Sequence, residues 1–464
     1  MEDFKFNKVL SPLQAWSYSY GCLLGWGGFV MTATVFLPQG GVVGSLLAFG
    51  VGALIIALIA LNYHYLTSLC PATGGIFYLL QNTMGRGHAF AASWGICFAH
   101  LLIIPLNARA FARLICALLQ EYAHIEFHVR MFGLSVLLVD FIIITLAFAA
   151  SAYVNSKGIR ISARIQTVFA VTMALGIAAL FFMSLFSGVD IREKMTPAFY
   201  PGGKPLESFL LIFIMIPWAF VGFDSVPALS REAAFSKKKL GRIMVLAVLI
   251  GAFGYMANIV ITLLGAPEPW PVYVNNMGDG LDSIAVVAAS RRMFGTPGLV
   301  ISLITLLSAI LTGVNGSIAN VSRLFYTMSR SNSLFPILGK TNRHGVPAMA
   351  INFAVIASMV LVLIATTFNT MEMVASICTA FGYGYCSLSA FLNAWKRHEN
   401  RYMLTGAVGM LACILWLVFL SVPILSSESV MGVKMYASLA AWLFIGIWGY
   451  AMTCRKPDAI LDFK

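Results

Sequence analysis

The 464 residues are 59% apolar and only 10% charged, with a net charge of +12. A soluble domain carries about 25% charged residues and its core stops growing near about 250–300 residues, so one water-soluble core is excluded and lipid is expected around the outer faces. The basic balance is assigned to Lys and Arg in loops on one side of a membrane, with no nucleic acid partner.

In chain order, residues 1–16 read as a cytoplasmic segment, because MEDFKFNKVL lacks the basic start and short apolar core of a cleaved signal peptide. A helix needs about 20 apolar residues to cross a bilayer. Twelve segments qualify: 17–38, 42–67, 90–119, 131–153 and 161–187, then 207–229, 241–265, 298–328, 347–367 and 371–395, and finally 402–423 and 434–453. In lipid each segment must satisfy its own backbone groups, and the runs are too long and too unalternating for strands. The predicted class is an all-α integral membrane protein. Residues 17–187 form a first block of five helices and 207–395 a second; 402–453 hold two more, and 454–464 a cytoplasmic tail.

Particular spans carry unusual residues. The first contains Gly25-Trp26-Gly27-Gly28-Phe29. The third holds His100, Arg109 and Arg113, and the fourth holds Asp140. Arg109 and Arg113 share a helix face, and at about 1.5 Å per residue Arg109 and Asp140 reach similar depths. An intramembrane ion pair is therefore expected among these three; the alternative is an external vestibule that attracts carboxylates. His100 reads as a satisfied core histidine rather than a proton relay. The sixth span contains Pro217-Trp218-Ala219-Phe220-Val221-Gly222-Phe223-Asp224-Ser225. Lys237-Lys238-Lys239 reads as a cytoplasmic loop touching anionic lipid. Glu372 opens the tenth span near the outer surface, at the positive end of its helix. The eight cysteines show no metal spacing and read as reduced, packed side chains.

Orientation follows from charge. With the N-terminus in the cytoplasm, 21 Lys and Arg fall on that side and seven on the other, while Arg109 and Arg113 lie within a span. Both termini are thus expected in the cytoplasm. Five helices per block is an odd number, so the second block enters the membrane inverted. The two glycine-loosened segments, about 195 positions apart, then occupy matching places, which points to a transporter's central site. Close helix packing is the competing explanation. Unwinding frees N–H and C=O groups that lipid cannot satisfy. A zwitterion can: its carboxylate on N–H groups at one half-helix, its ammonium on carbonyls at another.

Five stretches, in order, resemble the amino acid–polyamine–organocation superfamily over roughly residues 10–395. They are Gly25–Phe29; Pro71-Ala72-Thr73-Gly74-Gly75-Ile76-Phe77-Tyr78; Asn155-Ser156-Lys157-Gly158-Ile159-Arg160 through Gln166; Trp218–Asp224 with Glu232 downstream; and Ser322-Arg323-Leu324-Phe325-Tyr326 through Leu334-Phe335-Pro336 and Val346-Pro347. The resemblance implies a 5+5 inverted-repeat core with discontinuous helices 1 and 6, two extra helices, and alternating access. It implies substrate contacts at Gly25, Trp26, Gly27, Gly28, Trp218, Phe220, Val221 and Gly222, with Trp218 stacking on the solute or else packing on a neighbouring helix. Asp224 and Glu232 fall at gating or coupling positions, though Asp224 could simply cap a half-helix. Trp26 and Gly28 depart from the family pattern, and the indole of Trp26 points into the pocket or outward. Relatives that use a lysine in the fifth helix for proton coupling differ from Val171-Thr172-Met173-Ala174 here.

The sequence holds no HExxH, GxSxG or Walker loop, so no catalytic residue, metal, cofactor or ATP-driven step is expected. The expectation is a secondary transporter of amino acids in a bacterial plasma membrane, by symport or exchange. A coupling proton is one option, and the chain is a monomer or homodimer. Alternatives are a carrier of ethanolamine, amino-acid-derived amines or polyamines, and a non-transporting nutrient sensor.

Overall fold

Ser11 starts the first helix. Its hydroxyl accepts from Gln14 N while the Gln14 side chain accepts from Ser11 N, and Pro12 takes the first helical position. The computed structural model describes residues 8–70, 75–123, 129–131, 134–136, 138–200, 202–236, 238–364, 368–421 and 433–454. Apart from one short hairpin, the regular elements among these residues are helical.

Helix α1 (Pro12–Leu24) stops at Gly25, and α2 (Gly27–Met31) continues as a π-helix over Thr32–Gly40. Then come α3 (Gly41–Leu69), α4 (Gly75–Met84) and α5 (Arg86–Ala123). The chain next forms β1 (Val129–Met131) against β2 (Leu134–Val136), antiparallel, before α6 (Leu138–Ser156) and α7 (Ile159–Leu185). After the short α8 (Ile191–Lys194), the sixth predicted span is divided into α9 (Pro205–Phe213), α10 (Ile216–Ala219) and α11 (Ser225–Ala228). The remaining helices are α12 (Lys238–Gly265), α13 (Trp270–Asn275), α14 (Ala285–Arg330), α15 (Ala348–Ile364), α16 (Phe368–Arg397), α17 (Asn400–Ser421) and α18 (Val433–Thr453).

Eight described helices are long and apolar enough to cross a membrane, and α6 and α15 supply two shorter apolar ones. Large apolar side chains stand exposed on α7, α12, α15, α17 and α18, among them Leu175, Leu246, Ile356, Leu411 and Ile447. Water would penalise such faces and hydrocarbon does not, so the protein is an integral membrane protein. The interior is packed around α5, α7 and α14, with α1 lying against α7, α12 and α14.

One expectation needs correction. The fourth span, predicted from 131, begins at Leu138, because Val129–Met131 pair antiparallel with Leu134–Val136. The eighth, predicted from 298, is the part of α14 that follows the kink at Gly295, where φ is +62°. Pro71-Ala72-Thr73-Gly74 and Lys237 lie outside the described residues; Gly75 onward opens α4.

Buried amides tie the helices around α1. Gln166 Nε2 on α7 donates to the carbonyls of Ser17 (3.3 Å) and Thr312 (3.2 Å), and Asn315 Nδ2 donates to Gln166 Oε1 at 2.7 Å. Asn155 Nδ2 donates to Asn315 Oδ1 at 2.8 Å, and Tyr18 OH donates to Ser162 Oγ at 2.7 Å. In a low-dielectric interior such a satisfied network fixes helix register. A neutral amide thus bridges α1 and α14 from the fifth predicted span.

Candidate substrate site between two interrupted helices

At the first break Gly25 adopts φ +43° and ψ −162°, a conformation strained for any residue with a Cβ. The backbone groups released there find partners on other helices. Trp26 N donates to Asn107 Oδ1 (3.2 Å) on α5. Asn258 Nδ2 on α12 donates to Gly28 O at 2.8 Å. Tyr255 OH, one helical turn earlier, lies 3.1 Å from Leu23 O and 3.0 Å from Ala219 O, so a single phenol addresses carbonyls from both breaks.

The second break runs from Phe220 to Asp224, between the single turns α10 and α11. Gly222 has φ +132°, and a Cβ there would stand 2.6 Å from Cys22 Cβ and 2.7 Å from Leu23 N. The two interruptions are therefore in direct contact. Gly222→Ala combines backbone strain with this clash and is expected to cost about 2–5 kcal/mol of stability. Thermal or denaturant unfolding of the purified protein checks this. Gly50→Ala, where a Cβ meets nothing within 4 Å, is the control and is expected to change little.

Between the breaks, Trp218 lies over Gly27, whose added Cβ would meet Trp218 Cη2 at 2.5 Å. Trp218 is buried, and its Nε1 has no hydrogen-bond partner. A void of about 10 Å³ is lined by Gly25, Trp26, Gly27, Asn107, Trp218 and Tyr255. That volume admits about one water and is too small for an amino acid. Trp26 is buried and borders the void rather than facing lipid. Gly28, Phe220, Val221 and Gly222 lie beside the void without lining it; Phe220 packs near Phe49 and Tyr255.

Asp224, 5% exposed, closes the second break. Its Oδ1 accepts from Gly222 N at 3.1 Å, and Tyr383 OH donates to the same oxygen at 3.5 Å. His100 Nε2 is 3.1 Å from Asp224 Oδ2 and 2.5 Å from the side-chain nitrogen of Asn320. His100 is buried, with Nε2 against the carboxylate of the break and Nδ1 without a partner. Sequence reading missed this pairing, together with Asn107, Tyr255, Asn258, Asn320 and Tyr383. Their one available signal is polarity within apolar helices.

Glu232 stands apart from this group. It is buried against Arg323, with Oε1 accepting from Nη2 at 3.1 Å. Its backbone carbonyl accepts from Val9 N and Leu10 N, which holds the N-terminal segment beside the end of α11. Arg109 donates to the Val362 carbonyl, and Asp140 Oδ1 accepts from Cys116 Sγ at 3.1 Å. Asp140 is within electrostatic range of both Arg109 and Arg113.

An apolar-faced helical bundle with two broken helices in contact inside it is the architecture of a polytopic membrane protein. The amino acid permease family model matches residues 10–448, and the chain belongs to that family, whose members are transporters rather than enzymes. It is similar to Cationic amino acid transporter 4 of Mus musculus, 24% identical over 85% of this chain and 61% of that protein. It is also similar to Branched-chain amino acid permease BcaP of Lactococcus lactis, 24% identical over 77% of this chain and 76% of the relative. Large neutral amino acids transporter small subunit 2 of Mus musculus is 22% identical over 98% of this chain and 83% of its own. The chain thus spans less than two thirds of the first of these.

Proposed function

We propose that this protein is a secondary transporter that carries amino acids across the membrane by alternating access, as an ion-coupled symporter or an exchanger. The observation that carries this reading is the contact between two interrupted helices, with Trp218 stacked over Gly27 and its N–H left without a partner. A solute carboxylate would lie on the N–H groups that open α2, and its ammonium on carbonyls near Leu23 and Ala219. The relatives named above, for cationic, branched-chain and large neutral amino acids, support the substrate class.

In this reading the spans number twelve, counting α1 with α2 and α9 with α10 and α11 as one each. Two inverted blocks, 17–187 and 207–395, form the core, and 402–453 pack outside it. The excess of Lys and Arg on one side supports cytoplasmic termini, and the membrane is read as a bacterial plasma membrane. Asp224 acts as the gating or coupling carboxylate, because an ionisable group inside a membrane is costly to keep. Glu232 closes the cytoplasmic side through Arg323. Arg109, Arg113 and Asp140 form an intramembrane charge group.

Uptake of radiolabelled amino acids into proteoliposomes, with and without a proton gradient, tests the reading; uptake no greater than in empty liposomes contradicts it. Trp218→Leu is expected to weaken amino acid binding by about 2- to 30-fold, the range a cation over an indole contributes. Titration calorimetry reads this, and an unchanged affinity would show that Trp218 only packs.

A further inference from the structure

A second cavity, larger than the central void, opens along the first part of the sixth predicted span, ahead of its break. It measures about 320 Å³ and is lined by α9, the start of α16 and the π-helical stretch after α2. Two of its lining residues are acidic, Glu207 and Glu372, and none is Lys, Arg or His. Glu372 is 2% exposed, and neither of its carboxyl oxygens has a hydrogen-bond partner. Ser208 is buried on the same wall, and its hydroxyl is also without a partner. Native interiors seldom leave such groups unmatched, and a buried carboxyl group stays ionised only with a cation beside it.

Glu207 differs. It is half-buried in the first turn of α9, where the helix dipole offsets its charge. The sequence places Glu372 likewise near a helix start, but it lies in the fifth position of α16 and is sealed from solvent. The rest of the cavity wall is largely apolar, with Val35, Leu211, Ile214 and Met215. Met215 immediately precedes α10, and Glu372 is within electrostatic range of Tyr255, whose hydroxyl addresses the carbonyls at both breaks. Tyr255 also lines the central void, so it lies between the peptide groups of the breaks and the unpaired carboxyl group of Glu372.

We infer that this cavity is the side-chain subsite of the transporter, and that Glu372 accepts the terminal ammonium of a basic amino acid whose methylenes lie along Val35, Leu211 and Met215. The inference rests on the amino acid reading above and narrows it to cationic substrates. Ser208 is placed to donate to or accept from the same group. Glu207 at the rim adds a second negative charge that favours approach of a cation. An uncharged isostere would leave the Glu372 carboxylate buried and unmatched, which is a strong basis for discrimination.

The test compares L-lysine with L-norleucine, the same carbon skeleton without the terminal ammonium. Binding is measured by titration calorimetry on the full chain in nanodiscs, in wild type and Glu372→Gln. Wild type is expected to bind lysine at least tenfold more tightly than norleucine. Glu372→Gln is expected to lose at least tenfold for lysine and to hold norleucine within about threefold. Lysine binding unchanged in Glu372→Gln, or a wild type that prefers norleucine, overturns the subsite while leaving the amino acid reading in place. A wild type that binds neither overturns both. The melting temperature without ligand gives a second readout. Glu372→Gln is expected to match or exceed wild type, since glutamine has the same size and the buried carboxyl group has no partner to lose. A fall of more than about 5 °C would mean that the carboxylate holds the fold, and would also overturn the subsite.

Discussion

Asp224→Asn is expected to reduce amino acid uptake in proteoliposomes by more than tenfold while the protein still folds and purifies as wild type. Asparagine keeps the size of the side chain and its acceptor toward Gly222 N, which is 3.1 Å from Asp224 Oδ1. What it removes is the negative charge opposite His100 and Tyr383. A tenfold loss corresponds to about 1.4 kcal/mol, which one charge-assisted hydrogen bond supplies. His100→Gln is expected to fall in the same direction, because it removes the other half of the pair. Wild-type uptake by Asp224→Asn would leave the carboxylate as a cap for the break and nothing more.

The second large effect is expected on stability. Glu232 and Arg323 are 1% and 4% exposed and 3.1 Å apart. Removing one member strands a buried charge, at a cost of about 3–5 kcal/mol. Glu232→Leu alone and Arg323→Leu alone should each lower the melting temperature sharply. The double variant should recover much of the loss, since replacing both ions with apolar groups is often neutral. Equal losses in the single and double variants would show that the pair is held by its other contacts. The backbone bonds from Val9 and Leu10 to Glu232 O do not depend on the side chain, so they should survive in all three variants.

The breaks themselves were legible because glycine clusters in apolar spans are a local signal: Gly25 and Gly222 adopt positive φ, and Pro217 lies within α10. Their partners were not legible. Asn107, Tyr255 and Asn258 meet the first break from 81 to 232 positions away, and no local pattern announces which polar residue will turn toward a freed carbonyl. His100 illustrates the same gap, since a buried histidine reads alike whether it bonds a backbone carbonyl or a carboxylate at a helix break. Glu372 reads as opening its helix near the outer surface; it lies in the fifth position of α16 and is buried, which only packing decides. The pairing of 129–131 with 134–136 escaped because a few apolar residues before a span are indistinguishable from the span's first turn.

The account turns on peptide groups at the two breaks holding both charges of an amino acid head group. Competition binding to the purified protein tests this most directly, with the tightest-binding amino acid set against its decarboxylated amine: L-lysine against cadaverine, for example. The account predicts that loss of the α-carboxylate weakens binding at least tenfold. An amine that competes as well as its parent amino acid would mean that no carboxylate sits on the N–H groups opening α2, and the protein would then be a carrier of amines.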